Sequence, residues 1–408
     1  MRTDCIILGG GAAGLAACAA LANSGIQTVV IEKSDRIGRK IMAAGNGRCN
    51  ISNADMDASY YGHAASFVRS VYEKTPPDEV ARFFSSLGLM TAQEEGRIYP
   101  RTMMASSVLD VLRAGCTAPN VSIMTGCEAV SITPSRRAGW SIQLQSGEGL
   151  FAPAVLVAMG GSAGPHLGTD GAGTRLLASL GHSITPLCPA LVQLKCDHPA
   201  LRSLKGVRMQ ARLTLHIDGR PAAQETGELL FADYGVSGVC VFQLSRHAAR
   251  ALAEKRRVSL SVKLLPEIED ISSWLDARIH MLAAADAHSL FTGVFPRLLS
   301  QALLRQAGIA QDSAPSQFDA SARRALCDAI AAFPLPVTGT QGFKSAQVTA
   351  GGISLDEADP SSMASRLWNG LYLAGEVLDV DGPCGGYNLH FAFASGLTAA
   401  KAIIEQLR

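Results

Sequence analysis

Gly9, Gly11, Gly14 and Glu32 are the residues whose types and spacing most sharply define a chemistry, because together they can hold a dinucleotide. Gly9 permits a tight turn, Gly11 lets the backbone approach a pyrophosphate, and Gly14 lets a helix pack close to a sheet. Ala12 and Ala13 open that helix, whose free N–H groups and positive dipole end face the phosphates. Glu32 lies 18 residues past Gly14, where its carboxylate can accept from ribose hydroxyls. An acid there favours an unphosphorylated ribose, hence FAD or NAD over NADP.

These residues need a strand, a helix and a second strand to position them. Cys5–Leu8 is a short apolar run, Leu15 to Asn23 is rich in Ala and Leu, and Thr28–Ile31 is a second apolar run ending at Glu32 and Lys33. A basic loop follows, with Gly38, Arg39 and Lys40 and then Asn46, Gly47, Arg48, Cys49 and Asn50. Its Gly and Asn content cannot build a core but suits a polar wall around an anion. Residues 63–115 read mostly as helix, interrupted at Pro76-Pro77 and near Gly96–Pro100. Val121–Thr125 reads as a strand. Glu128–Thr133, which contains Val130, forms an antiparallel meander with Trp140–Gln145 and Gly149–Phe151, turning at Arg136–Gly139. Val155–Ala158 returns to the parallel sheet and ends near Gly160 and Gly161.

From about residue 190 the pattern changes to strand-like runs, including Met209–Ile217, Gly227–Phe231, Gly238–Phe242 and Val258–Val262. Residues 267–333 look mainly helical. The simplest organisation is a discontinuous nucleotide domain, 1–189 and 345–408, interrupted by a β-rich insert, 190–266, and a mainly helical one, 267–344. Gly370–Glu376 is a strand ending in Gly375-Glu376, and Gly385-Gly386-Tyr387-Asn388 starts a long final helix. The pair resembles the second FAD fingerprint of glutathione-reductase-type flavoproteins. There the carboxylate holds a ribityl hydroxyl and the helix N-terminus points at the flavin. An NAD-binding domain would have no use for this second anchor.

The chain resembles the HI0933/YhiN/BaiN-like family of FAD-dependent oxidoreductases over nearly its whole length. The likeness rests on Gly38-Arg39-Lys40, Gly47-Arg48-Cys49-Asn50, Gly227–Phe231, Val348-Thr349-Ala350-Gly351-Gly352, Gly375–Gly382 and Gly385–Leu389. It implies an α/β fold: a Rossmann-like FAD-binding domain with an inserted β-barrel-like subdomain and a helical subdomain. It also implies a flavin at the cleft between domain and insert, with Val130, Gly160 and Gly161 among the cofactor-binding residues. Family members have been linked to enone reduction and to amine oxidation. Here Ala172 stands where the family has Asp, with an Asp at 170. Ala232-Asp233 replaces Thr-His, Cys384 replaces Thr, and His390-Phe391 replaces Gln-Trp. The resemblance therefore carries FAD but no particular substrate.

The expected reaction exchanges hydride between flavin N5 and a small organic substrate, by enone-type reduction or amine oxidation. A nearby acid or base moves the accompanying proton. The candidates are His166, Asp170, Asp233, Lys344 and His390. No second glycine fingerprint provides a nicotinamide domain, so electrons pass through a transient nicotinamide, another donor or oxygen. The competing readings are an NAD-dependent dehydrogenase and an FAD-containing interaction protein without turnover. A net charge of +1 gives no field for nucleic acid. No apolar run reaches the ~18 residues of a membrane span. The N-terminal apolar residues belong to the first strand and helix rather than to a signal peptide. A cytoplasmic protein without membrane or nucleic-acid partners is expected. Ten cysteines show no CxxC or zinc-ligand spacing, so no metal site is expected.

Overall fold

The computed structural model describes residues 1–22, 24–135, 139–283 and 285–408. The chain forms two compact units, Met1–Leu187 with Gln347–Arg408, and Cys188–Ala346.

In the first unit Cys5–Leu8 lies at the centre of a five-stranded parallel sheet. The order across it is Leu371–Leu373, Ala154–Val157, Cys5–Leu8, Thr28–Glu32, Val121–Thr125. Cys5, Ile6 and Ile7 are fully buried, as a continuous apolar run requires in a sheet covered on both faces. Helix Ala12–Leu21 follows the first strand and is buried along most of its length. Its small side chains let backbones close in. A Cβ on Gly14 would overlap the Gly9 carbonyl oxygen, and one on Gly396 of the last helix, Tyr387–Leu407, would overlap the Ala13 carbonyl oxygen.

The meander consists of Ala129–Pro134, Trp140–Leu144 and Gly149–Ala152, all antiparallel. Residues 136–138 of its expected first turn lie outside the described residues. The expected helix break near Gly96–Pro100 is a hairpin. Thr91–Glu94 pairs with Arg97–Pro100, which also pairs with Ser52–Asn53. Glu95 and Gly96 have φ of 48° and 80°, the positive pair that a tight two-residue hairpin loop needs.

The second unit contains a closed six-stranded barrel. Its order is Leu194–Cys196, Gly235–Ser237, Arg220–Ala232, Arg208–Ile217, Val258–Lys263, Phe333–Thr340, and back to the first. Strict alternation sends Val258, Leu260, Val262, Phe333, Leu335 and Val337 inward. The closing strand follows helices Ile271–Met281, Arg297–Gln306 and Ala320–Ala331. The closing strand lies within the insert bounded as 267–344 and mainly helical, in the run from Leu335 that reads as strands and glycine turns. The Gly238–Phe242 run, expected as a strand, instead starts helix Val239–Ala253. Cys240, Val241, Leu244, Ser245 and Ala248 share its buried face, a helical spacing that a five-residue apolar window cannot reveal. Among the described residues no helix is long and apolar enough to cross a membrane.

Candidate active site

The glycine turn has φ 105° at Gly9, and Gly14 is locked against it. Gly11 differs, because nothing lies within 4 Å of where its Cβ would be. The turn is open on that side, and the following helix has no side-chain cap, so its first N–H groups are available to an anion. Glu32 ends its strand with Oε2 accepting from the Gly10 N–H at 2.9 Å and Oε1 accepting from the Ser34 N–H at 2.8 Å. The carboxylate is thus fixed at the edge of the turn. A small cavity opens here, lined in part by Gly9, Glu32, Ala129, Gly168 and Asp170. Val130, next in the chain after Ala129, is exposed at a bulge of its strand.

A second cluster forms around Glu376. Its Oε2 accepts from Lys40 Nζ at 2.6 Å and its Oε1 from the Thr349 N–H at 2.8 Å. Thr349 Oγ1 in turn accepts from the N–H groups of Ser162 at 2.8 Å and Ala163 at 3.0 Å. Gly161 must be glycine, since its Cβ would overlap Thr349 Oγ1 and lie 3.1 Å from Glu376 Oε1. Gly375, with φ 73°, approaches the first helix at Ala13 and donates its N–H to Ser395 Oγ at 3.0 Å.

The last helix starts against residues 50–53, with Asn53 Nδ2 donating to the Gly385 carbonyl at 2.9 Å. Gly385 and Gly386 have φ of 129° and 100°, and a Cβ on Gly386 would overlap the Ser52 carbonyl oxygen. The helix has no side-chain cap. Asn388 Oδ1 accepts from the Gly382 N–H at 2.9 Å and its Nδ2 donates to the Gly382 carbonyl at 2.9 Å, which folds the preceding turn. Asn50 Oδ1 is buried without a hydrogen-bond partner, 2.8 Å from where a Gly386 Cβ would be. These features fit FAD. There is an open glycine turn for the pyrophosphate, a carboxylate for each half, and an orphaned acceptor that needs a donor of the kind a flavin ring carries.

Several expected site residues are engaged in other ways. Gly38, with φ 73°, donates its N–H to the Gly10 carbonyl at 2.8 Å and ties the basic loop to the turn. Arg39 donates to the His166 carbonyl at 2.9 Å. Gly45, Asn46 and Gly47 are exposed and left-handed in succession, with φ of 57°, 55° and 82°. Gly160 is also left-handed, with φ 72°. Arg48, expected at the cofactor, pairs with Glu94 at 3.0 Å and stacks over the Tyr99 ring at 4.6 Å, which braces the hairpin. Cys49 is fully buried, which pushes its thiol up to about 12, and it can present only backbone.

The acid and base candidates fare differently. Asp170 pairs with Lys33 at 2.8 Å and accepts from the Ala172 N–H at 3.1 Å, starting helix Ala172–Ser179. Burial pushes its carboxyl up, but the bonds from Lys33 and Ala172 and the charges of Lys33 and Arg175 prevail and hold it below the usual range. Nearby Gly168 would place a Cβ 2.7 Å from Ser34 Oγ and 4.0 Å from Glu32 Oε1. Asp170 is therefore a fixed, ionised residue beside the Glu32 cavity. His166 is exposed on the same turn. His390 is fully buried, bonded through Nδ1 to Ser52 Oγ at 2.9 Å and set edge-on to Tyr72 at 5.5 Å. Desolvation pushes its imidazole down to about 3, so it is neutral at ordinary pH, and its Nε2 is buried without a hydrogen-bond partner. Asp233 and Lys344 belong to the second unit. Asp233 forms an exposed pair with Lys205 at 2.7 Å, whose bond lowers its carboxyl; Lys344 is exposed. Thr349 is the clearest residue missed, although it stands in the quoted Val348–Gly352 motif. Its hydroxyl role needed the partner segment, residues 162–163, to be seen.

A parallel nucleotide sheet carrying a glycine turn with its acid and a second carboxylate anchor defines an FAD-dependent oxidoreductase. More narrowly, the chain belongs to the HI0933-like family: residues 3–402 match the HI0933-like protein Rossmann domain. It is 39% identical over 405 residues to the 3-dehydro-bile acid delta(4,6)-reductase of Clostridium scindens, covering 98% of each chain. It is 26% identical over 408 residues to the ribosomal RNA dihydrouridine synthase of Escherichia coli, covering 99% of this chain and 98% of that one. The 3-ketosteroid delta1-dehydrogenase of Sterolibacterium denitrificans, solved with 1,4-androstadiene-3,17-dione, shares the fold. The TM-score is 0.53 at 15% identity, covering 99% of this chain and 100% of that one. FAD is the cofactor, as the sequence resemblance implied.

Proposed function

We propose that this protein reduces a carbon–carbon double bond conjugated to a carbonyl in a small cyclic substrate. The observation that carries the reading is the 39% identity, over nearly all of both chains, to a reductase named for a delta(4,6) bond. In a 3-oxo steroid acid, double bonds at positions 4 and 6 are conjugated to the ketone, so their far carbons are electron-poor and accept hydride. The uridine double bond lost in dihydrouridine is also conjugated to a ring carbonyl, which puts the 26% relative in the same reaction class. FAD, when bound, supplies the hydride through N5.

The chain's own residues bind and orient. Glu32 and the open turn at Gly11 hold the adenosine half, and Lys40, Glu376 and Thr349 hold the flavin half. The first turn of the last helix offers N–H groups and a positive dipole end to negative charge developing on the reduced ring. A net charge of +1 favours a small molecule over an RNA partner. The test is to reduce the FAD-loaded protein without oxygen and mix it with 3-oxo steroid acids carrying Δ4 or Δ4,6 bonds, or with uridine-containing RNA. Amines are offered to the oxidised protein. The reading expects the oxidised flavin band to return with the enones, together with a product heavier by a pair of hydrogens. Reoxidation by RNA alone, or reaction with amines alone, would sink it.

A further inference from the structure

Lys33 follows Glu32 directly, and its Nζ lies 2.8 Å from Asp170 Oδ2. Both residues line the small cavity at Glu32. The pair is assembled from two elements. Lys33 leaves the end of strand Thr28–Glu32, and Asp170 belongs to the turn that opens helix Ala172–Ser179. That turn is fixed in place. Asp170 Oδ1 accepts from the Ala172 N–H at 3.1 Å, and Arg175 donates to the Asp170 carbonyl at 2.7 Å. Earlier in the same turn Arg39 holds the His166 carbonyl, and a Cβ on Gly168 would lie 2.7 Å from Ser34 Oγ. The Lys33 side chain is 22% exposed and that of Asp170 39%, so the acid is the outer member. The arrangement is particular to this chain, which carries Ala172 where the family has Asp.

We propose that the Lys33–Asp170 pair reads the adenine base of the cofactor and selects it over 6-oxopurines. This rests on the placement of the adenosine half at Glu32 proposed above. Lys33, next to Glu32 and the more enclosed, faces ring N7 on the ribose side of the purine. Asp170, the outer member, faces the 6-amino group. An ammonium only donates and an ionised carboxylate only accepts. Adenine offers an acceptor at N7 and a donor at the 6-amino group, side by side, so both members find a partner. Hypoxanthine and guanine carry an oxo group at position 6. There an acceptor meets the carboxylate, with no proton between them. The strand fixes Lys33 and the turn fixes Asp170, so the two do not exchange places to suit the other bases.

The other charged groups at the cavity are less suited to this. Both Glu32 oxygens accept backbone N–H groups, from Gly10 and Ser34. Arg175 lies 3.7 Å from Asp170 Oδ1 with its side chain 65% exposed. Glu128 also lines the cavity and is the rival reader of the 6-amino group.

The experiment titrates full-length apoprotein with AMP and with IMP by calorimetry, in wild type, Asp170→Asn, Glu128→Gln and Glu32→Ala. Wild type should prefer AMP by about tenfold. In Asp170→Asn the amide oxygen keeps the Ala172 N–H bond, so the amide NH2 stands where Oδ2 was. A donor then faces position 6, and the preference for AMP should vanish or reverse. Glu128→Gln should keep it. Equal affinities of wild type for AMP and IMP, or the full wild-type preference in Asp170→Asn, would overturn the proposal. Should Glu32→Ala bind AMP as tightly as wild type, the placement of the adenosine at Glu32 fails by itself. The ratio in Asp170→Asn then still judges the pair: an unchanged one refutes it, a lost one supports it.

Discussion

Lys40 and Glu376 meet at 2.6 Å across 336 positions of sequence, joining the short helix Arg39–Ala43, which follows the second nucleotide strand, to the segment just past the last strand. Both side chains are partly shielded, at 27% and 19% exposure. The contact ties these two segments together directly, and Thr349 braces Glu376 from its other side. Replacing Glu376 with Gln should leave the Thr349 bond but weaken the Lys40 one. The expected loss of FAD affinity is about 1–2 kcal/mol, with Lys40→Met comparable, since charged hydrogen bonds contribute about 1.5–3 kcal/mol. Titration of apoprotein with FAD by flavin fluorescence measures this. Wild-type affinity in both variants would remove this pair from the cofactor site.

Glu32 should matter for the other half of the cofactor. It already accepts two backbone N–H bonds, so Glu32→Ala loosens the turn as well as the ribose contact, while Glu32→Gln keeps one acceptor oxygen. FAD binding should weaken by about 1.5–3 kcal/mol in Glu32→Ala and by less in Glu32→Gln. Competition with AMP should show the same ranking. Equal AMP affinity in all three proteins would mean that Glu32 does not face the adenosine ribose.

The architecture around this candidate site was legible in the sequence because its constraints are local. A strand, a glycine turn, a small-residue helix and an acid are read within one βαβ unit, and Gly375-Glu376 repeats the logic. What the sequence did not show depends on distant partners. Arg48 has the right charge for a phosphate, but the hairpin that captures it was hidden in weakly apolar residues around Glu95-Gly96. His390 sits in a helix-start motif, and its burial against Tyr72 and Ser52 appears only in the fold. The strand reading of Gly238–Phe242 failed because a short apolar run has no period of its own. Lys33 and Asp170 became a pair only in the fold.

Gly11 and Gly14 should separate cofactor binding from folding. A Cβ at residue 14 would overlap the Gly9 carbonyl, so Gly14→Ala should destabilise the protein by several kcal/mol or prevent folding. A Cβ at residue 11 meets nothing within 4 Å, and its φ of −91° is open to alanine. Gly11→Ala should therefore unfold at the wild-type temperature without FAD, yet bind FAD about tenfold more weakly because the methyl group occupies the pyrophosphate path. Thermal melts with and without FAD test both. A Gly11→Ala protein stabilised by FAD as fully as wild type would show that the pyrophosphate runs elsewhere.

His390 should make folding stability depend on pH. Burial holds its folded-state imidazole near 3, whereas an unfolded histidine titrates near 6.5. Between those values the unfolded chain binds a proton that the folded chain does not, so stability rises with pH across that window. The contribution is fully present above about pH 6.5 and is lost, at up to about 1.4 kcal/mol per pH unit, as pH falls toward 3. His390→Gln cannot take up that proton. Its absolute stability should be lower, since Gln packs less well against Tyr72, but it should lose less stability than wild type between about pH 7 and about pH 5. Urea denaturation of the apoprotein at several pH values gives the two slopes. If they coincide, His390 is charged or solvated in the folded protein, and the neutral, buried histidine described above is wrong.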